Sequence, residues 1–284
     1  MLSMTHHSSP ILVLGGTGKT GRRVAQRLEA HGVPVRIGSR SATPAFDWED
    51  RDTWAAALAG VGGVYVSFYP DIAVPGAADA VAALAAQAVA AGAERIVLLS
   101  GRGEEEAEKA EERVRAVAPR ATILRATWFA QNFSESFMLE GIRAGELALP
   151  ADGVPEPFVD VEDIADIALA ALTGDDHAGE LYELTGPRSL TFADAVAEIG
   201  AATGRTIDYL PMPVVAYAAA LTEAGVPQVE VAVITYLFGE VLDGRNARVA
   251  DGVQRALGRQ PRDFADYARD AAASGVWNAS AVTA

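Results

Sequence analysis

Cysteine is absent from the 284 residues. No disulfide can staple this chain, and no thiol can act as nucleophile or metal ligand. Lysine is nearly absent: Lys19 and Lys109 stand against 21 arginines. Positive charge of either kind is scarce, with 23 Lys and Arg against 38 Asp and Glu, a formal net charge of −15. That balance argues against nucleic acid and anionic membrane surfaces as partners. Histidine occurs four times, and no group of His, Asp and Glu has metal-ligand spacing. Asp175-Asp176-His177, between Gly174 and Gly179, reads as a turn. The longest apolar stretch, Ala80 to Ala91, is Ala-rich and interrupted by Gln87. It falls short of the roughly 20 residues a bilayer span needs. No secretory signal is visible, so the cytoplasm is the expected compartment.

Half of the residues are hydrophobic, enough for a sizeable core. The most informative stretch is Pro10 to Arg22, PILVLGGTGKTGR. Ile11 to Leu14 is a continuous apolar run, as a strand buried on both faces should be. Gly15, Gly18 and Gly21 follow at G-x-x-G-x-x-G spacing. The first permits a tight turn, the second lets the backbone approach a pyrophosphate, and the third lets a new helix pack on the sheet. The helix N-terminus then presents N–H groups to phosphate, with Thr17, Lys19 and Thr20 in the turn. Gly18-Lys19-Thr20 also looks like the end of a P-loop. That motif needs glycine at position 13, where Val13 stands.

The first 126 residues alternate strand and helix. Strands are expected at 10–14, 33–38, 45–47, 63–68, 94–100 and 121–126, and helices at about 19–31, 52–59, 76–91 and 104–117. This alternation predicts an α/β fold built on a doubly wound parallel sheet. Asp160 reads as the N-cap of a helix with Ile164, Ile167, Ala168 and Ala171 on one face. Leu181 to Leu184 reads as a last strand of the sheet. The remainder from Thr191 reads as a smaller, mainly helical C-terminal lobe with an extended piece at 207–210. The expected domains are a polar tail over 1–9, a nucleotide-binding body over 10–190 with lobe insertions near 128–160, and the lobe over 191–284. The lobe is expected to pack on the carboxyl ends of the strands, where open α/β sheets bind ligands.

An NAD site usually ends its second strand in Asp or Glu, which holds the ribose 2′-hydroxyl. Here Val33 to Ile37 is followed by Gly38-Ser39-Arg40. An arginine fork suits a 2′-phosphate, so NADP(H) is favoured over NAD(H), with Ser39 and Arg40 as contacts. Arg36 reads equally as a solvated strand residue. Asp47 could accept from an adenine amino group or cap the next turn. Ser67, Phe68 and Tyr69 leave the fourth strand beside the expected cofactor path. Trp128, Phe129, Phe133, Phe137, Tyr236 and Phe238 could line an apolar substrate pocket or belong to the core. Asn132, among these aromatics, could hold a substrate or nicotinamide oxygen, or cap a helix starting near Phe133.

Several segments, in this order, resemble the NmrA-like, atypical short-chain dehydrogenases. They are Gly15-GTGKTG, Asp47-Trp48, the strand ending Ser100-Gly101, Leu124-RATWFAQN, Pro157-FVDVEDIA and Ala256-LGRQPRDF. The resemblance implies a Rossmann body that binds NAD(P) and a C-terminal lobe over the nicotinamide. It also implies one of two behaviours: reduction of quinones, dyes or other conjugated molecules, or cofactor sensing through a protein partner. Short-chain dehydrogenases carry a catalytic Ser on the fifth strand, which would be Ser100, and Tyr-x-x-x-Lys on the next helix. Here Lys109 is present but Glu105 stands where the Tyr would be. Glu105 and Lys109 lie on one face, either as a solvated ion pair or bordering the nicotinamide as catalytic groups. Without the Tyr, ordinary carbonyl reduction is disfavoured. The expectation is a reductase of a quinone-like or conjugated aromatic small molecule, such as a natural-product tailoring enzyme. A turnover-free sensor and another NAD(P)-dependent reaction, oxygenation or isomerisation, stand as alternatives.

Overall fold

The computed structural model describes residues 9–278; His6 and His7 and most of the expected tail lie outside them. In chain order the elements are β1 (Ile11–Leu14), α1 (Gly21–Ala30), β2 (Val35–Gly38), a 3-10 turn (Arg51–Thr53), α2 (Trp54–Leu58), β3 (Gly63–Val66), α3 (Ala77–Ala90), β4 (Arg95–Gly101), α4 (Glu105–Val117) and β5 (Thr122–Ala126). A 3-10 turn (Ala130–Phe133) follows, then α5 (Leu139–Ala144), β6 (Glu146–Leu149), α6 (Val161–Thr173), β7 (Leu181–Leu184), α7 (Phe192–Thr203) and β8 (Asp208–Pro211). The chain continues through α8 (Val214–Glu223), α9 (Gln228–Tyr236), a π-helical turn (Leu237–Val241), α10 (Gly252–Leu257) and α11 (Phe264–Ala273).

Six strands form one sheet in the order β2-β1-β3-β4-β5-β7. The β1–β2, β1–β3 and β3–β4 pairs are parallel, with Ile11 opposite both Val35 and Gly63. β1 lies between β2 and β3, and all four of its side chains are buried, as they are where both faces of a parallel sheet are covered. The chain leaves β1 toward β2 on one side and returns to β3 on the other. The carboxyl ends of β1 and β3 therefore border the point where strand order reverses, the usual ligand crevice of an open α/β sheet.

The expected strand at 45–47 does not form. Phe46 N–H donates to the Ser39 carbonyl (2.9 Å), Asp47 N–H to Thr53 Oγ1 (3.0 Å), and the Asp47 carbonyl accepts from Trp54 Nε1 (2.7 Å). Its backbone groups are satisfied outside any ladder, and Pro44 has no N–H to offer one. Phe46 is buried all the same, 6.0 Å from Trp54 in a stacked pair. β6 pairs with β8 as a separate two-stranded parallel sheet; β8 matches the extended piece expected at 207–210, and β6 was not anticipated.

The chain forms two compact units. Unit 1 comprises residues up to Gly101, Glu105–Arg125 and Ile164–Tyr182; unit 2 comprises Arg102–Glu104, Ala126–Asp163 and Glu183 onward. The sequence reading instead drew its main boundary at residue 190. Unit 1 has a core of strand and helix side chains including Leu12, Leu14, Val64, Leu84, Leu98 and Ile123. Unit 2 has its own core, rich in aromatics: Phe133, Phe158, Phe192, Phe264 and Trp277. Asp160 does cap α6, accepting from Glu162 N–H at 2.8 Å.

Candidate functional site

The turn after β1 is a cradle that side chains would fill. Gly15 has φ +68°, and a Cβ there would lie 3.1 Å from Ser67 Cβ. A Cβ on Gly21 would collide with the Gly15 carbonyl oxygen. Gly18 N–H closes the turn onto that same carbonyl at 2.8 Å. Thr17 and Gly18 are exposed, Lys19 is half-buried, and Thr20 is buried. The Lys19 carbonyl is held by Arg23 Nη1 at 2.8 Å. The first turn of α1 contains no acidic residue, whereas α3, α4, α6 and α7 each have at least one there. The positive end of α1 is thus left without a neutralising carboxylate of its own, as anion binding requires. A turn that needs glycine at positions 15 and 21, an acid-free helix start and Ser67 across from Gly15 fit a dinucleotide pyrophosphate.

The two candidate arginines near β2 are in different situations. Arg36 Nη1 donates to the carbonyls of Ala57 (2.6 Å) and Ala59 (2.8 Å), so it anchors the end of α2. Arg40 is exposed and makes no hydrogen bond or ion pair among the described residues. Ser39 Oγ lies 3.3 Å from Ser41 Oγ. Asp47 accepts from Glu49 N–H (3.1 Å), while Asp50 caps the 3-10 turn through Asp52 N–H (3.1 Å). Trp48 packs on Phe68 with ring centroids 4.7 Å apart, and Tyr69 is exposed.

The sequence-selected catalytic candidates do not converge. Ser100 is buried and donates to Glu111 Oε1 at 2.6 Å. Arg125 grips the same carboxylate with two bonds, Nε at 2.9 Å and Nη2 at 2.5 Å. The Ser100 hydroxyl thus joins an ion pair tying α4 to β4 and β5. Glu111 is 3% exposed and was not singled out in the sequence. Lys109 Nζ lies 2.7 Å from Glu106 and 2.9 Å from Glu105. The Glu105 carboxyl is exposed, and the Lys109 ammonium holds it below its ordinary range. A proton donor near neutral pH needs the opposite shift. Glu106 and Glu105 in turn raise the Lys109 amine.

In unit 2 the aromatics divide into core and wall. Phe133 is fully buried, edge-on to Phe158 (5.5 Å) and Phe264 (5.5 Å). Phe129 forms a bridge with Val159. Trp128 is partly exposed and packs on Phe238 (4.7 Å) and Phe192 (5.4 Å). Phe137 is exposed and lies 6.5 Å from Phe238. Tyr217, from α8, completes this wall at 5.9 Å from Phe238 and 6.4 Å from Phe137. Tyr236 is half-buried at the end of α9. Asn132 is half-buried within the 3-10 turn, and its amide makes no hydrogen bond among the described residues. It caps no helix, because the next one starts at Leu139.

Two buried carboxylates hold this unit together. Asp163, 0% exposed, accepts from Arg259 Nη2 (2.7 Å), Arg262 N–H (2.8 Å) and the Arg262 guanidinium. Glu156 accepts from the Thr127 hydroxyl and the Trp128 N–H, and burial pushes its carboxyl up to about 7. A cleft of about 320 Å³ between α7 and α11, lined by Arg205, Arg269 and Trp277, contains none of the candidate residues. Among the described residues no His, Asp and Glu side chains gather as a metal ion would need, and no helix is long and apolar enough to cross a membrane.

Known proteins extend this picture. The agroclavine dehydrogenase of Claviceps fusiformis is 32% identical over 279 residues, covering 92% of this chain and 96% of that protein. An NAD(P)H azoreductase of Xenophilus azovorans is 29% identical over 294 residues, covering 93% and 98%. The fold matches that of an NADPH-dependent quinone oxidoreductase from Escherichia coli solved with NADPH, at TM-score 0.72, 20% identity and coverage of 92% and 99%. The family model described as NmrA-like matches residues 7–268, and the chain belongs to the NmrA-like family.

Proposed function

We propose that this protein is an NADP(H)-preferring reductase of conjugated aromatic small molecules of the quinone type. The observation that carries the reading is the disposition of Ser100, Glu105 and Lys109. Each is engaged in a protein ion pair or hydrogen bond, and none is poised to protonate a simple carbonyl. A substrate already activated by conjugation needs no such group, since water can protonate the product. When bound, a reduced nicotinamide supplies the hydride; the glycine cradle and α1 hold its pyrophosphate, and Ser39 and Arg40 receive the 2′-phosphate. Asp47 and Phe68 flank the adenosine side, and Ser67 lies across the turn. Trp128 and Phe137, both packed on Phe238, would offer the substrate apolar surface, and Asn132 an amide for its polar edge. Orientation and exclusion of water then provide most of the rate. The relatives named as an azoreductase and an agroclavine dehydrogenase support a conjugated substrate.

The test is to mix purified protein with NADPH and panels of quinones, azo dyes and simple aliphatic ketones, following loss of the reduced-nicotinamide absorbance. The expected result is turnover with the conjugated panels and none with the ketones. Tight NADPH binding with no turnover on any panel would overturn the reading in favour of a sensor.

A further inference from the structure

Resting on the reductase reading, we propose that Tyr217 is a substrate-facing hydrogen-bond donor, and that its hydroxyl selects conjugated substrates bearing an acceptor oxygen. Tyr217 sits in the partly exposed aromatic wall, with Phe137 and Phe238 against its ring. Two other tyrosines of unit 2 have structural tasks. The Tyr267 hydroxyl donates to Ser134 Oγ at 2.8 Å, and that of Tyr209 donates to the Ala151 carbonyl. The Tyr217 hydroxyl has no hydrogen-bond partner among the described residues. A phenol half out of water normally finds a partner, and in this proposal a substrate atom supplies it.

The chemistry suits a donor that keeps its proton. Burial raises the Tyr217 phenol above its ordinary range, and no neighbouring charge opposes that shift. It therefore stays protonated across any working pH. As a quinone takes up a hydride, an electron pair moves onto the conjugated oxygen. That oxygen is stabilised by a donor already in place and takes its proton from water, while Tyr217 retains its own. A cationic triphenylmethane dye gains hydride at carbon and develops no oxyanion, so the hydroxyl contributes nothing to its reduction.

Tyr217→Phe removes the oxygen and keeps the ring. The probes are menadione, which has acceptor oxygens, and malachite green, which has none. The variant should lose about tenfold in kcat on menadione, roughly the effect of one hydrogen bond, with malachite green reduction changed less than about twofold. A second readout omits the cofactor: quenching of tryptophan fluorescence by each probe, with Trp128 in the same wall. There the variant should bind menadione several-fold more weakly and malachite green equally well. Equal losses on both probes, or no loss on menadione in either readout, would overturn the proposal. If the wild-type protein turns over neither these probes nor any quinone or azo dye, the reductase reading fails, and the fluorescence arm alone decides the role of Tyr217.

Discussion

Arg40 and Glu156 show how much one residue's surroundings decide. Both are ordinary letters in the sequence. Arg40 keeps its guanidinium in solvent at the end of β2, whereas Arg36 two turns of the pleat earlier binds carbonyls of the α2 end. Arg40→Asp should therefore weaken NADPH binding by about tenfold to a hundredfold, the range of a charge-assisted hydrogen bond, and leave NADH binding unchanged or improved. Equal loss for the two cofactors, measured by titration, would remove Arg40 from the 2′-phosphate site. Glu156 makes a different prediction. Its carboxyl is raised by burial to about 7 from 4.5, so the folded state holds a proton that the unfolded chain has released between those values. The neutral acid's contribution is fully present below about pH 4.5 and is lost as pH rises through about 7, on the order of 3 kcal/mol in all. Glu156→Gln, neutral throughout, should gain in melting temperature relative to the wild type across that window. A constant difference between the two proteins from acid to alkaline pH would contradict this.

At the scale of elements, legibility followed locality. The turn from β1 into α1, the Asp160 cap and β7 could be read because glycine spacing, an N-cap and a short apolar run are local signals. Elements whose backbone partners lie far away could not. The segment at 45–47 has strand-like letters, but Thr53 and Trp54 take its backbone groups. β6 has no ladder until β8 arrives some sixty residues later. On α4, five glutamates look alike; helical spacing puts Ala107, Ala110, Val114 and Val117 on one apolar stripe, of which the first three are buried and Val117 is 40% exposed. That Glu111 joins this stripe depends on Arg125, which helical periodicity does not reveal. Tyr217 was missed for the same reason, since α8 reads as a plain apolar helix. The α4 arrangement leads to a paired prediction. Ser100→Ala should cost about 1–2 kcal/mol of stability, because Glu111 keeps both arginine bonds. Glu111→Ala should cost more, about 3 kcal/mol, because the mostly buried Arg125 guanidinium loses its two-bond partner and keeps the longer Glu108 contact at 3.5 Å. Both should keep kcat within about threefold in a folded sample. A Ser100→Ala protein of unchanged stability whose kcat falls a hundredfold would return Ser100 to the reaction.

For the whole molecule, the two units are not consecutive in sequence: the chain passes between them five times, at 101/102, 104/105, 125/126, 163/164 and 182/183. A cut at residue 190, after the last strand expected for the sheet and before the mainly helical remainder, would divide the core of unit 2. Phe133 and Phe158 would remain on one side, and Phe192, Phe264 and Trp277 on the other. Phe158 meets Phe192 at 4.9 Å and Phe133 meets Phe264 at 5.5 Å, while Trp277 Nε1 donates to the Phe133 carbonyl at 2.8 Å. The Arg259 and Arg262 groups that neutralise Asp163 would be lost as well, leaving a buried carboxylate without its cations. Each large aromatic buries roughly 150–250 Å², and at about 25 cal/mol per Å² baring several of them exceeds the stability of a typical domain's margin. A fragment of residues 1–190 retains every strand of the six-stranded sheet and the core of unit 1, but with the core of unit 2 divided it should bind a hydrophobic dye well below its melting temperature. The full chain should bind little dye under the same conditions. A fragment that binds as little dye as the full chain would show that 126–163 and 183–190 find enough burial without the residues beyond them.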